Sequence, residues 1–444
     1  MAYQIDLNLF DLIDERELGD LERLVALLDL LRAEKLIKAL ERARRGRRNE
    51  NPVRRMWYCV VACALYCEGK ISRIRAELQR NQDLRRICHV RCVEAVPSRY
   101  AFKRFLQALG KQRSLLEEIF DGLIDQLHTL LPHLGRHVAA DSTGLMTHKS
   151  LKKDDGVERE GSWGKKRTTR VRSDGVEEEL VLEWFGFKLH LLVDAAHEVP
   201  LTFQVTGADE SDTKHLVPLL SRLRERHPLM RTETVSADKG YDSAENVEGC
   251  WTQEVNGEPL HVKAVVALRD LPTPEEPIED GRHWADLVLR PNGELCCERK
   301  VRGGDGRVER ELVPMTWVGF EADRVSHKFG CPAKRSGLEC LRYQSCNAGL
   351  SQGRTVRLPC SKNWRGLPPL PQGSMKRERI YKGRTSVERA FGRLKGPLGL
   401  EHLPVRSKGA VTLRVMLGIL VLVALALWRV RQGQREHLGR VLAA

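Results

Sequence analysis

The chain lacks the features that mark membrane and exported proteins. Its C-terminal apolar run, Val415–Trp428, has 14 residues, whereas a membrane-spanning helix needs about 20. The N-terminus carries acidic residues and has no basic start followed by an apolar stretch, so it does not resemble a signal peptide. We therefore expect a cytoplasmic protein without a membrane segment, in which the apolar run forms a buried last helix packed on a central sheet.

The chain is rich in cysteine, but its cysteines lack the regular spacing of a zinc site. The chain has 12 cysteines, which a cytoplasmic protein keeps reduced. Three of them recur at every fourth position of an apolar helix and are expected in the core: Cys59, Cys63 and Cys67. Six others are spaced irregularly, without the close pair that is typical of zinc sites: Cys296, Cys297, Cys331, Cys340, Cys346 and Cys360. Free thiols are the default interpretation here, and a structural zinc is the less favoured alternative.

The charge balance indicates a polyanionic partner. Lys and Arg number 74 against 60 Asp and Glu, giving a formal charge of +14. Within residues 376–408, ten Lys or Arg face three Glu. Each phosphate that such a surface neutralises releases counterions, which favours binding to nucleic acid. A solvated surface without a partner is the alternative interpretation of any single basic run.

Two aspartates follow short β-type runs and precede turns that contain glycine. Asp141 lies in His137-Val-Ala-Ala-Asp-Ser-Thr-Gly144, and Asp238 lies in Val235-Ser-Ala-Asp-Lys-Gly-Tyr-Asp242. A strand that presents a carboxylate before a glycine turn aims it into a cleft. Each aspartate alone is more commonly a turn residue or a helix cap.

A third carboxylate lies on a predicted helix near the end of the chain. At about 100° per residue, Arg384, Glu388 and Lys395 lie at roughly 0°, 40° and 20° on the helix, and Tyr381 lies near 60° if the helix extends to it. Val387, Phe391 and Leu394 form the adjacent apolar stripe. One carboxylate beside cations suits an enzyme that holds a divalent metal and a phosphodiester together, while an ordinary amphipathic helix is the alternative.

The sequence resembles the DDE transposases of bacterial insertion sequences, in the class with the YREK signature. That signature is Tyr, two residues, Arg, three residues, Glu, six residues and Lys, and Tyr381, Arg384, Glu388 and Lys395 match it without a gap. Further similarities are Asp141-Ser-Thr, Asp238-x-Gly-Tyr-Asp242, Phe185-Gly-Phe-Lys188-Leu-His190 and Val96–Phe105. The resemblance spans most of residues 50–430.

The resemblance implies an α/β protein with an RNase H-like mixed β-sheet as its catalytic core and with flanking helices. The predicted parts are an all-α DNA-binding or assembly domain (1–131), the first part of the core (132–270), a β-rich insertion before the last acidic residue (271–373), the last part of the core (374–430) and a basic tail (431–444). Strands are predicted at 137–142, 185–194, 199–206, 233–238 and 263–269, with a helix at 216–226. The polar segment 148–178 is predicted to be a flexible loop.

The resemblance also implies a chemistry and its residues. Asp141, Asp238 and Glu388 would hold two Mg²⁺ ions, for which Mn²⁺ can substitute. The DNA contacts would come from Tyr381, Arg384, Lys395, Lys188, His190 and Trp364, the last as an aromatic side chain that stacks on an unpaired base. The partners would be double-stranded DNA, as terminal inverted repeats and target, bound by a homodimer.

Two alternatives remain open at this point. An RNase H-like nuclease that cuts without joining would share all three carboxylates. A non-catalytic DNA-binding regulator derived from a transposase would bind the same ends, although the intact carboxylates argue against a decayed copy.

Overall fold

A computed structural model describes residues 18–44, 50–147, 160–171, 177–269, 276–278, 286–304 and 306–441. Its helices are α1 (Leu21–Leu30), α2 (Glu34–Ala43), α3 (Val53–Tyr66), α4 (Ile71–Arg80), α5 (Gln82–Ile87), α6 (Arg99–Gly110), α7 (Arg113–Leu130), α8 (Leu216–Arg226), α9 (Ala244–Thr252), α10 (Pro332–Arg335), α11 (Tyr343–Asn347), α12 (Met375–Lys382), α13 (Thr385–Lys395) and α14 (Lys408–Arg431). Its strands are β1 (His137–Thr147), β2 (Ser162–Val171), β3 (Glu177–Asp194), β4 (Pro200–Gly207), β5 (Thr234–Ala237), β6 (Glu254–Val255), β7 (Glu258–Pro259), β8 (Lys263–Val266), β9 (Glu276–Pro277), β10 (Leu287–Leu289), β11 (Leu295–Arg302), β12 (Val308–Pro314), β13 (Thr316–Glu321), β14 (Ser326–Gly330), β15 (Thr355–Pro359) and β16 (His402–Leu403).

The chain forms two compact units. The first unit comprises residues 1–130, 144–187 and 390–444, and the second comprises residues 131–143 and 188–389. The second unit therefore contains all three predicted catalytic carboxylates and the predicted insertion. The domain boundaries drawn from the sequence stay a prediction, because a division by compactness does not test domain roles.

The first unit is built around α14. This helix packs against α1, α3, α6 and α7, and nearly every side chain from Val411 to Val430 is buried. A helix that is apolar all round must be covered on every side. The expectation of a buried last helix is confirmed, but its packing on the central sheet is corrected, since its neighbours are the N-terminal helices.

α14 also has the length and composition of a membrane span, and it is the one such helix among the described residues. Within its most apolar 18-residue window, 89% is buried inside the fold. Core helices of soluble proteins have these same properties, so the helix by itself is weak support for a membrane location.

The predicted helical N-terminal region is confirmed for its described part, with α1 to α7 following one another to Leu130. The apolar run 18–40 is two helices, because a turn at Arg32, which has a φ of +41°, separates α1 from α2. Cys59, Cys63 and Cys67 are buried, as expected for small core residues.

Part of the predicted flexible loop is a β-hairpin. β2 pairs antiparallel with β3 over residues 162–171 and 177–186, while 148–159 and 172–176 lie outside the described residues. Lys165 lies opposite Glu183 and forms an ion pair with it at 2.7 Å. Opposite charges across a strand pair stabilise the pair. The many charged side chains of these two strands obscure the apolar alternation that identifies a strand in sequence.

The second unit contains parallel strand pairs. β1 pairs parallel with β5, and β5 pairs parallel with β8. On the other side β1 is next to β3, which is next to β4. Since β3 also pairs antiparallel with β2, the sheet is mixed, and α8 packs on β4 while α9 packs on β8. The α/β fold class and all five predicted strands are confirmed.

The predicted insertion is rich in β-structure, as expected. It contains a four-stranded sheet, β9 to β12, and a three-stranded sheet, β13 to β15, together with the short helices α10 and α11. Gly293, with a φ of +83°, lies in the predicted turn between β10 and β11. A buried carboxylate, Asp242, ties the two ends of the insertion, since it accepts from the Arg269 amide at 2.7 Å and pairs with Arg365 at 2.7 Å.

Candidate active site

Asp141 and Asp238 lie side by side on neighbouring parallel strands. The register of β1 and β5 places Ala140 opposite Ala237, so the next residue on each strand is one of the two aspartates. Strands paired in this way run about 4.8 Å apart, and in α/β sheets ligands bind at the carboxyl ends of the strands. The structure therefore brings together two carboxylates that are 97 positions apart in sequence.

The backbone that follows each aspartate orients its side chain. The Ser142 amide donates to Asp141 Oδ1 at 2.7 Å, and the Gly240 amide donates to Asp238 Oδ1 at 2.8 Å. A Cβ atom at Gly240 would lie only 2.8 Å from that same Asp238 oxygen. A side chain at position 240 would therefore displace the Asp238 carboxylate.

Glu388 lies on α13, whose buried stripe of Val387, Phe391 and Leu394 is as predicted. Its side chain is 49% exposed and forms an ion pair with Arg384, Nη1 to Oε1, at 2.8 Å. Burial lowers the pKa of Arg384, but the hydrogen bond and charge of Glu388 outweigh it and raise this pKa above its usual value, and Asp141 contributes in the same direction. The guanidinium is thus within electrostatic range of both Glu388 and Asp141.

The YREK residues do not share one helix, which corrects the single predicted stripe. α12 ends at Lys382 and α13 begins at Thr385, so Tyr381 belongs to the preceding helix. Arg384 lies in the short link, and its guanidinium carbon is 5.8 Å from the centroid of the Tyr381 ring. Lys395 is the last residue of α13, two turns after Glu388, and its Nζ lies 3.8 Å from Glu401 Oε2.

The donor set suits a hard divalent cation such as Mg²⁺. Asp141 and Asp238 supply carboxylate oxygens from adjacent strands, and the bare Gly240 backbone leaves room beside them. In the described part of the chain, no three His, Cys, Asp and Glu side chains are arranged to hold a metal ion. Glu388 would be the third carboxylate of the set, and one of its two oxygens, Oε1, is paired with Arg384.

Three predicted DNA-contact residues have other surroundings. Lys188 Nζ lies 3.1 Å from Asp212 Oδ1 and donates to the Glu210 carbonyl at 2.8 Å. His190 is fully buried, 2.9 Å from Thr206 Oγ1, and Trp364 is also buried. Since buried side chains cannot reach DNA, the contact role of His190 and Trp364 has no support in this conformation.

The surroundings of His190 fix its charge state. Its ring lies 4.1 Å from the ring of His215, centroid to centroid. Burial, and then the nearby charge of His215, lower the pKa of His190 to about 3, although Asp212 opposes the shift. His190 is therefore a neutral core residue at physiological pH.

Two residues beside the aspartates were not assigned to the site from the sequence. Asp212 begins a short 3₁₀ turn before α8, and Tyr241 follows Asp238 in the Asp-x-Gly-Tyr element. The acidic run Asp209-Glu-Ser-Asp212 was a signal for the first, but it follows β4 without the strand–acid–glycine pattern of the other two.

Four of the insertion cysteines line one small cavity, together with Asp286 and Arg354. They are Cys297, Cys331, Cys340 and Cys346. Burial raises the pKa of the Cys297 thiol to about 12, which keeps it protonated. These cysteines are free thiols, and no metal-holding group was found in the described residues around them.

Comparison with known families places this site in a class. Residues 132–256 and 336–424 match the family of transposase DDE domains, and these two segments hold Asp141, Asp238 and Glu388. The chain therefore carries a transposase DDE domain. It is also similar to an insertion-sequence transposase. Over 63 residues it is 40% identical to the transposase assigned to insertion sequence element IS402 of Burkholderia cepacia.

The match to this relative is short. It covers 13% of the present chain and 29% of the relative. Among solved structures, a cryo-EM structure of the piggyBac transposase synaptic complex with hairpin DNA aligns with 95% of this chain and 77% of its own, at 11% identity and a TM-score of 0.41. A TM-score of that size does not establish a common fold.

Proposed function

We propose that this protein is an insertion-sequence transposase of the YREK class. It would bind the element ends, hydrolyse a phosphodiester bond there and join the freed 3′-hydroxyl to target DNA. One observation carries the proposal: the β1–β5 register that places Asp141 beside Asp238 in a chain that matches the DDE family. The formal charge of +14 supports a DNA partner.

The proposed fold of the core is RNase H-like. The parallel strands β1, β5 and β8, with β3 and β2 on the other side of β1, support this assignment. In this arrangement the N-terminal region 1–131 would bind DNA or pair two protomers on paired ends, and residues 271–373 would add DNA contacts. We place the protein in the cytoplasm, where its DNA substrate lies.

Asp141, Asp238 and Glu388 would hold two Mg²⁺ or Mn²⁺ ions. When bound, these ions neutralise charge on the attacking and leaving oxygens of an in-line displacement. The two aspartates are already oriented by the Ser142 and Gly240 amides. Glu388 becomes available when Arg384 releases it.

Arg384 has a second proposed partner in a DNA phosphate. A guanidinium forms bidentate hydrogen bonds with phosphate as readily as with carboxylate. DNA binding would therefore draw Arg384 away from Glu388 and free this carboxylate. Lys395 would neutralise a neighbouring phosphate, and Tyr381 would pack against the flanking nucleotide.

The test uses labelled DNA carrying the ends that flank the gene, with Mg²⁺ or Mn²⁺. We expect metal-dependent nicking at the end and, with target DNA present, joined products. Asp141→Ala and Glu388→Gln should abolish both, with a rate loss of at least about 10³-fold, while DNA affinity changes by less than about threefold.

The other outcomes of this experiment would refute the site assignment or favour one of the alternative functions. Glu388→Gln cleavage at the wild-type rate would refute the site assignment. Cleavage without joining would identify a nuclease, and binding without cleavage by the wild type would identify a regulator or an inactive copy.

A further inference from the structure

A fourth carboxylate, Asp212, is fixed beside the two aspartates of the sheet. Its Oδ1 atom lies 3.1 Å from Lys188 Nζ, and this lysine also donates to the carbonyl of Glu210 in the same loop at 2.8 Å. The Lys188 side chain is only 14% exposed and that of Asp212 only 26%. A shielded lysine that holds both the loop and the carboxylate gives Asp212 a defined position.

Asp212 and Asp238 approach the same point of the backbone. A Cβ atom at Gly240 would lie 2.8 Å from Asp238 Oδ1 and 3.7 Å from Asp212 Oδ2. The 3₁₀ turn that Asp212 begins packs against the 3₁₀ turn Lys239–Tyr241. The two carboxylates thus border one small space above a residue without a side chain.

The side chain of Tyr241 is buried close to this group of acids. The side chain is fully buried, and its hydroxyl makes no hydrogen bond to the described residues. Burial and then the charges of Asp212, Asp141 and Asp238, in that order, raise the pKa of this phenol well above its usual value. Tyr241 therefore lies within electrostatic range of all three carboxylates.

We propose that Asp212 and Tyr241 are positioning residues of the catalytic centre, which set the cation affinity and orientation of Asp141 and Asp238. This inference rests on the proposed function. Lys188 holds Asp212 so that its charge adds to the field that a divalent cation meets. The Tyr241 hydroxyl, which has no hydrogen-bond partner among the described residues, is the donor available to a carboxylate of the group, and a hydrogen bond from it would fix the orientation of that carboxylate. Partners of metal-binding carboxylates commonly change metal affinity by about 10–100-fold.

Mn²⁺ binding to the full-length protein, followed by electron paramagnetic resonance of the free ion, tests this without relying on activity. Asp212→Asn and the isosteric Tyr241→Phe should each weaken Mn²⁺ binding by about 10–100-fold. Asp209→Asn, the same charge change at an exposed carboxylate of the same loop, should change it by less than about threefold. Asp212→Glu should restore part of the affinity.

Cleavage provides a second readout. In Asp212→Asn, raising Mn²⁺ should restore the rate to within about threefold of wild type, because the ligands themselves remain. Circular dichroism confirms that each variant is folded. Unchanged Mn²⁺ affinity in folded Asp212→Asn and Tyr241→Phe would overturn the inference.

Asp141→Ala separates this failure from a failure of the proposed function. If Asp141→Ala loses Mn²⁺ binding while Asp212→Asn and Tyr241→Phe keep it, the positioning role alone is wrong. If wild type neither binds Mn²⁺ nor cleaves, and Asp141→Ala behaves identically, the proposed function is wrong and the positioning role is refuted with it.

Discussion

Gly240 occupies a position where a side chain would displace the neighbouring carboxylate. Its backbone amide holds Asp238 Oδ1 at 2.8 Å, and an added Cβ would lie at that same distance from the oxygen. Gly240→Ala should therefore shift the carboxylate and lower the single-turnover cleavage rate by about 10–100-fold, since small misplacements are costly in catalysis. Stability should change by less than about 1 kcal/mol, because φ at this residue is in the range open to alanine.

Gly304→Ala is the matched control for Gly240→Ala. A Cβ at Gly304 meets nothing within 4 Å, so this variant should cleave at the wild-type rate. Equal rates for Gly240→Ala and Gly304→Ala would mean that the position of Asp238 does not limit the reaction.

Single residues of the site differ in how far the sequence predicts them. Asp141 and Asp238 each follow an apolar strand and precede a glycine turn, a local pattern that survives folding. Asp212 is 24 positions from Lys188 and reaches the site only through that tertiary contact. Local periodicity carries no information about such a contact, which is why Asp212 was missed and why Lys188 was assigned to DNA.

Helix α12 is fixed to the sheet by one buried guanidinium. Arg377 Nη2 donates to the Val266 carbonyl at 2.6 Å, and Nη1 donates to the carbonyls of Ala264 and Leu370 at 3.3 and 3.4 Å. Burial lowers the pKa of Arg377 to about 10, although the charges of Tyr381 and Asp242 oppose this. The side chain nevertheless stays charged at neutral pH and anchors the helix that carries Tyr381.

Replacing Arg377 with Met should leave these carbonyls without their donor. Each buried acceptor that loses its partner costs about 1–3 kcal/mol. Because water replaces part of the lost hydrogen bonding, the free energy of unfolding should fall by about 2–4 kcal/mol. Amide hydrogen exchange in α12 and β8 should accelerate accordingly.

Arg379→Met provides the comparison for Arg377→Met. It removes the same charge from an exposed position on the same helix. The free energy of opening that amide exchange measures should change by less than about 0.5 kcal/mol. If both variants exchange alike, Arg377 does not anchor α12.

The elements themselves were predictable where the apolar pattern was clear. The strands of the second unit and the helix at 216–226 follow their periodicity. The break between α12 and α13 was not, because Gly383 interrupts a stretch whose polar spacing continues across it. The partners of α14 were also missed, since a helix that is apolar on all sides does not indicate which surface covers it.

At the scale of the whole molecule, the excess of positive charge determines how the protein should meet DNA. Helix α12 exposes Arg379 and Lys382 beside the buried Arg377, so only some charges of the basic stretch 376–408 are available to phosphates. Each phosphate neutralised contributes about −0.9 to the slope of log K against log salt. Arg379→Gln with Lys382→Gln should therefore make the slope for element-end DNA shallower by about 2, as measured by fluorescence anisotropy between 50 and 200 mM salt.

Arg226→Gln with Arg231→Gln removes the same charge from the opposite edge of the sheet. Both arginines are exposed and precede β5, whereas Asp238 follows it. Because the net charge of the two double variants is identical, a difference in slope reports where the DNA lies and not how basic the protein is. A shallower slope only in the α12 variant would place phosphates beside Tyr381 and Arg384. An equal effect of both variants would mean that DNA is attracted by overall charge, and α12 would lose its assigned place in the interface.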